Sequence, residues 1–269
     1  MGGLMGGLYR LSEWIMRMAG ANLLWFICSL PVFLLLFLFM FGTSQETLDQ
    51  LSVMLENPQQ YLLSFSVPML LYGTVGSIFL FPATSALFSV ARKWTIGEED
   101  VSVFKTFFKS YKTNFKQALL GGIIYSFIYM LVAINILFYR DISTFISTVF
   151  LIFLVLVMVS TFHYFSILAH LHMKTFGMVK NAFLITLGKP FTSLLMIISI
   201  TVVVWISIKF SFLIFFFMGS VIAVLSFWYF HRIFSTIQMN RQEDELAEEQ
   251  PAALQGEETS NEQNDKDKQ

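Results

Sequence analysis

From Pro190 to Phe230 the chain reads PFTSLLMIISITVVVWISIKFSFLIFFFMGSVIAVLSFWYF, 41 residues with one charged side chain, Lys209. A single helix of that length would measure about 60 Å, twice the ~30 Å hydrocarbon core of a bilayer. Lys189, Lys209 and Arg232 instead divide the run into two membrane-length pieces, 190–208 and 210–230, with Lys209 marking a tight turn at the far surface. That reading sets the fold class of the whole chain: all-α, a polytopic bundle of transmembrane helices.

Working outward, four further segments supply the ~20 mainly apolar residues that a crossing needs: 21–41, 62–90, 119–139 and 142–162. Six spans are expected. The segment 62–90 is too long for one untilted span and contains Pro68 and Pro82, so a kink, a tilt or an interfacial extension is expected there. Composition agrees, because 56% hydrophobic against 13% charged residues excludes an ordinary soluble domain. Arg10 and Arg17 ahead of the first apolar run imitate a signal peptide, but the run is too long, and it reads as an uncleaved first span. The single Cys28 permits no internal disulfide and reads as a small buried side chain.

Lysine and arginine give the orientation. Thirteen basic residues fall on one side: Arg10, Arg17, Arg92, Lys93, Lys105, Lys109, Lys112, Lys116, Lys174, Lys180, Lys189, Arg232 and Arg241. Only Arg140 and Lys209 fall on the other. Cytoplasmic loops carry the basic excess, so both termini are expected in the cytoplasm of a multi-pass plasma-membrane protein. The loop 42–60, with Glu46, Asp49 and Glu56, is then external; Leu48, Leu51 and Leu55 recur at helical spacing and fit a short surface helix that shields the helix ends. Two regions follow: a transmembrane domain over 1–239 and an acidic tail over 240–269, whose ten carboxylates and three basic residues suit a disordered, solvated end.

The expected spans hold almost no ionisable side chain, which argues against a proton-driven pump. Asn22 and Asn135 are the main amides near or in spans; helix packing is the plainer role for them, and a polar solute path with Pro31, Pro82 and Thr84 is the sharper one. His163, His170, His172 and His231 gather near cytoplasmic helix ends. No HxxxH pair or cysteine cluster accompanies them, so no metal or cofactor is expected. Phosphate-binding glycine loops and serine elbows are absent as well, and no catalytic residue is expected. Gly121 and Gly122 read as close-packing positions.

The most informative loop is 91–117. Asp100 is a reasonable N-cap for a helix whose Val103, Phe104, Phe107, Phe108, Tyr111 and Phe115 form an apolar face, flanked by Lys105, Lys109, Lys112 and Lys116. This describes an amphipathic interfacial helix that meets anionic lipid headgroups, not nucleic acid, with docking onto a partner protein as the rival reading. Lys174-Thr175-Phe176 echoes Lys105-Thr106-Phe107 and raises the idea of a duplicated pair of spans, each with a cytoplasmic connector.

Three separated motifs carry a family resemblance: Asn22-Leu23-Leu24-Trp25 leading to Leu30-Pro31; Phe81-Pro82-Ala83-Thr84-Ser85-Ala86-Leu87 with Arg92; and Gly97-Glu98 followed by the aromatic and lysine segment reaching Asn114-Phe115-Lys116. On these the chain resembles the YesL family of bacterial membrane proteins over roughly residues 8–234. The resemblance implies a multispan protein of a bacterial plasma membrane, with some members associated with carbohydrate uptake, and no catalytic residues to transfer. Three functions are carried forward: a non-enzymatic accessory protein docking on transporter subunits or on its own copies; an autonomous transporter of a small neutral or amphiphilic solute; and a membrane or stress sensor.

Overall fold

In the computed structural model, which describes residues 4–41, 58–98, 101–171 and 173–266, every regular element is helical. The order is α1 (Leu4–Cys28), α2 (Leu30–Phe41), α3 (Pro58–Val75), a π-helical turn (Gly76–Leu80), α4 (Phe81–Thr95), α5 (Val103–Tyr139), α6 (Thr144–His170), α7 (Thr175–Gly188), α8 (Pro190–Lys209), a second π-helical turn (Ile214–Met218) and α9 (Gly219–Lys266). Among the described residues, five segments are long and apolar enough to cross a membrane: Ser66–Thr95, Val103–Tyr139, Thr144–His170, Pro190–Lys209 and Ile214–Gln242. A bent pair, Gly6–Cys28 with Leu30–Phe39, makes a sixth if it counts as one span.

That pair corrects the expectation of an unbroken span over 21–41, because its halves meet at 64°. Pro31 is the cause. It has no N–H to donate, and its ring collides with the carbonyl one turn back. The chain closes α1 with the Ser29 N–H on the Trp25 carbonyl (2.9 Å) and opens α2 with the Val32 N–H on the Ser29 carbonyl (3.0 Å). The bend sets the Phe33 ring 5.6 Å from Trp25 and 4.8 Å from Phe26.

The long segment around Pro82 finds a different solution. The Phe81 N–H reaches five residues back to the Gly76 carbonyl, and this widened π turn accommodates the proline without ending the helix. Pro68 lies inside α3.

The amphipathic segment 103–116 is not a separate interfacial helix. It runs without a break into the apolar half of α5, 37 residues in all. At 1.5 Å per residue α5 is about 55 Å long, so roughly 25 Å of it extends beyond the hydrocarbon. Nor is Asp100 the observed cap: it lies outside the described residues, as do His172 and the loop 42–57, and the Ser102 side chain accepts the Lys105 N–H. The expected loop ends early, since α3 already starts at Pro58.

Small residues set the helix spacing. A Cβ on Gly122 would stand 2.8 Å from Ser77 Cα, one on Gly73 would stand 2.9 Å from Ser126 Cβ, and one on Gly121 would fall on the Tyr164 phenol. Buried tyrosines then bridge α5 and α6: Tyr164 donates to the Gln117 carbonyl (2.6 Å) and Tyr125 to the Ser160 carbonyl (3.1 Å). Away from these contacts α5 exposes Leu120, Ile123, Phe127, Leu131 and Phe138, an apolar stripe at helical spacing suited to lipid.

The chain divides into two compact units, Met1–Tyr229 and Phe230–Gln269. α9 runs on into the second as far as Lys266. The two Lys-Thr-Phe copies occupy different settings, with Phe107 fully buried and Phe176 75% exposed.

Candidate functional site

Two regions gather the residues singled out above. The first is one end of the bundle. Trp14 of α1 packs edge-on against Trp94 of α4 (5.5 Å between ring centroids), Arg92 Nε donates to His170 Nδ1 (3.2 Å), and Gln117 Nε2 donates to the Met173 carbonyl (2.9 Å). These contacts bring the basic parts of α1, α4, α5 and the α6–α7 connection to the same end. Lys105, Lys109, Lys112 and Lys116 are all exposed there, as is Phe104. The aromatic face behind them is not free. Phe107 is fully buried, and Phe108, Tyr111 and Phe115 are half-buried.

The second region is a cavity of about 310 Å³ inside the first unit, lined by Trp25, Leu80, Phe81, Thr84, Leu87, Phe88, Tyr129, Thr161, Phe162, Phe165, Met218, Gly219 and Ile222. Three departures from regular helix meet its wall. Leu80 ends the first π turn, Met218 ends the second, and Trp25 is the residue whose carbonyl closes α1 at the Ser29 break. A π turn leaves carbonyls without their usual partners, and at the second one Asn22 supplies them. Its Nδ2 donates to the Ile214 carbonyl (3.0 Å) and the Phe215 carbonyl (2.7 Å), while its Oδ1 accepts the Ser220 N–H (3.0 Å). Gly219 lets the amide in, since a Cβ there would sit 2.9 Å from Asn22 Oδ1 and 3.0 Å from Trp25 Cε3.

The structure separates the five residues grouped from sequence as a packing or solute path. Thr84 lines the cavity and accepts from Trp25 Nε1 (3.0 Å). Asn22 clamps the wall, Pro82 follows the first π turn, and Pro31 sits past the bend. Asn135 belongs to none of this: its Nδ2 returns to the Leu131 carbonyl of its own helix (2.8 Å). Trp25 entered the sequence reading only as the end of the Asn22-Leu23-Leu24-Trp25 motif, and Tyr129, Thr161 and Gly219 were not singled out there. Only Gly219 carried a signal there, as an interruption of the run IFFFM-G-SV.

Among the described residues no group of three or more His, Cys, Asp or Glu is placed to hold a metal. His163 is buried in α6, with Nε2 3.5 Å from Ser193 Oγ, while His170 faces Arg92.

Residues 18–136 match the family described as "Protein of unknown function, DUF624". The chain is similar to the uncharacterized protein YteU of Bacillus subtilis (strain 168), at 30% identity over 196 residues that cover 69% of this chain and 66% of YteU. It is also similar to the uncharacterized protein YesL of the same organism, at 24% identity over 196 residues covering 71% of each chain. The chain belongs to the DUF624/YesL family. No solved structure matches it. The DUF624 match contains Asn22, Trp25, Thr84 and Tyr129, whereas Thr161 and the second π turn lie beyond it. The polytopic membrane character of the chain is common ground between sequence and structure.

Proposed function

We propose that the protein is a non-enzymatic accessory protein of a bacterial plasma membrane, with six spans and both termini cytoplasmic, that docks on a transport system through its basic end. The observation that carries this reading is α5, which projects beyond the bilayer thickness and presents Lys105, Lys109, Lys112, Lys116 and Phe104 to solvent. Anionic headgroups are the default counter-surface for such a projection, at about 1 kcal/mol per lysine near the membrane. A transporter subunit with an acidic, apolar-edged face, or a second copy of the chain, satisfies the same chemistry. Carbohydrate uptake enters only through the family resemblance.

The test is purification at native expression in nanodiscs with mass spectrometry of stoichiometric partners. A transporter subunit that is retained by the native chain and lost on Phe104→Ser with Lys105→Glu and Lys109→Glu is the expected result. Isolation without a partner overturns the accessory role. Phe107 is unsuitable for this test because its burial makes a polar substitution a folding defect.

The cavity favours a second reading, autonomous movement of a small neutral or amphiphilic solute along walls built from broken helices. Solute flux into vesicles containing the purified protein checks it.

A further inference from the structure

We propose that the cavity bounded by Trp25, Phe81, Phe88, Phe162, Phe165 and Ile222 is a binding site for one hydrocarbon chain. Its polar groups decide the ligand class. Thr161 Oγ1 donates its only proton to the Val157 carbonyl (2.8 Å), so in the 2.8 Å contact between Tyr129 Oη and Thr161 Oγ1 the tyrosine is the donor. Thr84 Oγ1 likewise donates to the Leu80 carbonyl (2.7 Å) and accepts from Trp25 Nε1 (3.0 Å). Every polar hydrogen on the lining side chains is thus committed within the protein. What remains around the cavity is aromatic and aliphatic surface plus lone pairs on three hydroxyl oxygens, those of Thr84, Tyr129 and Thr161, with no charge and no free donor.

Such a space rejects the alternatives one at a time. A sugar would leave many hydroxyls without partners in a low-dielectric interior. An anion would find no donor. Water needs two to four polar partners, and apolar cavities of ~150 Å³ already stay dry and take up hydrocarbon-like guests. A volume of about 310 Å³ lined by residues of membrane-length helices and edged by three helix irregularities suits a flexible hydrocarbon chain. The chain that fills it is either the acyl chain of a phospholipid or the isoprenoid chain of a prenyl lipid. This site is independent of the basic end, so the docking role and the cavity ligand stand or fall separately.

The full chain is reconstituted in phosphatidylglycerol nanodiscs doped with a phospholipid bearing a diazirine on one acyl chain, and in parallel with a diazirine-bearing polyprenol. After irradiation, adducts are mapped by peptide mass spectrometry. Phe88 and Phe165 are 1% and 4% exposed, so a carbene reaches them through the cavity, whereas Val155 of the same α6 is 42% exposed and reports bulk lipid. Adducts at Phe88 or Phe165 are expected. Ile222→Phe and Leu80→Phe, made separately so that one misfolded variant is not decisive, reduce them about tenfold and leave Val155 labelling intact. Labelling by only one probe identifies the source of the chain and supports the site. Absence of adducts with both probes, or adducts unchanged in both filled variants, overturns it.

Discussion

The side-chain amide of Asn22 reaches across 192 positions of sequence to hold the carbonyl of Ile214 at 3.0 Å. It binds the neighbouring Phe215 carbonyl and the Ser220 N–H as well, so one residue of α1 completes the backbone hydrogen bonding of a π turn near the other end of the chain. Asn22→Leu leaves these backbone groups without partners where no water replaces them. Interhelical hydrogen bonds in membranes contribute ~0.6 kcal/mol each on average, so three together predict a loss of about 2 kcal/mol. Thermal unfolding in detergent is expected to fall by several degrees, and an unchanged midpoint would remove Asn22 from the structural account.

Gly122→Ala and Gly219→Ala are expected to destabilise the bundle by about 1–3 kcal/mol each, because the added carbon meets Ser77 Cα at 2.8 Å in the first case and Asn22 Oδ1 at 2.9 Å in the second. Gly20→Ala is the control. Nothing lies within 4 Å of its new methyl group, and alanine is the better helix former by about 1 kcal/mol, so it is neutral or stabilising. Ranking the three by detergent melting checks the spacing argument directly.

Much of this was legible beforehand. Lys209 ends α8 and the chain turns through Phe210–Leu213 into the next helix, as the charge punctuation of one long apolar run required. Pro82 announced an irregularity in a segment too long for one straight span. The cavity was not legible, because its polar members, Trp25, Thr84, Tyr129 and Thr161, come from four helices and are individually ordinary residues for a membrane interior. Nor was the continuity of α5. An amphipathic segment followed by an apolar one has the same hydrophobic pattern whether or not the helix bends between them, and no proline or glycine pair separates Phe115 from Ala118 to decide it.

Orientation is open to a direct test. With Cys28 replaced by serine, single cysteines at Lys109, Lys180, Arg140 and Lys209 are exposed to a membrane-impermeant maleimide on intact cells. Labelling at 140 and 209, with 109 and 180 labelled only after lysis, is the outcome expected from the basic-residue distribution. The reverse pattern inverts the topology.

Replacing Lys105, Lys109, Lys112 and Lys116 together by glutamine is expected to lower retention of phosphatidylglycerol by the purified protein, by about fivefold per lysine at low salt. Raising ionic strength should reproduce much of the loss in the native chain, since these side chains are exposed and screened. Native mass spectrometry of bound lipid reads both effects. Salt-independent retention would assign the lipid to apolar contacts instead.

The π turn at Ile214–Met218 also works as an angular spacer. An α-helix advances about 100° per residue, so the extra residue in a π turn rotates everything downstream by that amount relative to everything upstream. Gly219, Ala223 and Phe227 are buried together on one side of α9 because of this phase. A single-residue deletion within 214–218 would regularise the helix and swing that stripe a quarter turn toward lipid, while sparing almost every local hydrogen bond. The fold therefore tolerates change in the kind of apolar residue along this span far better than change in their number.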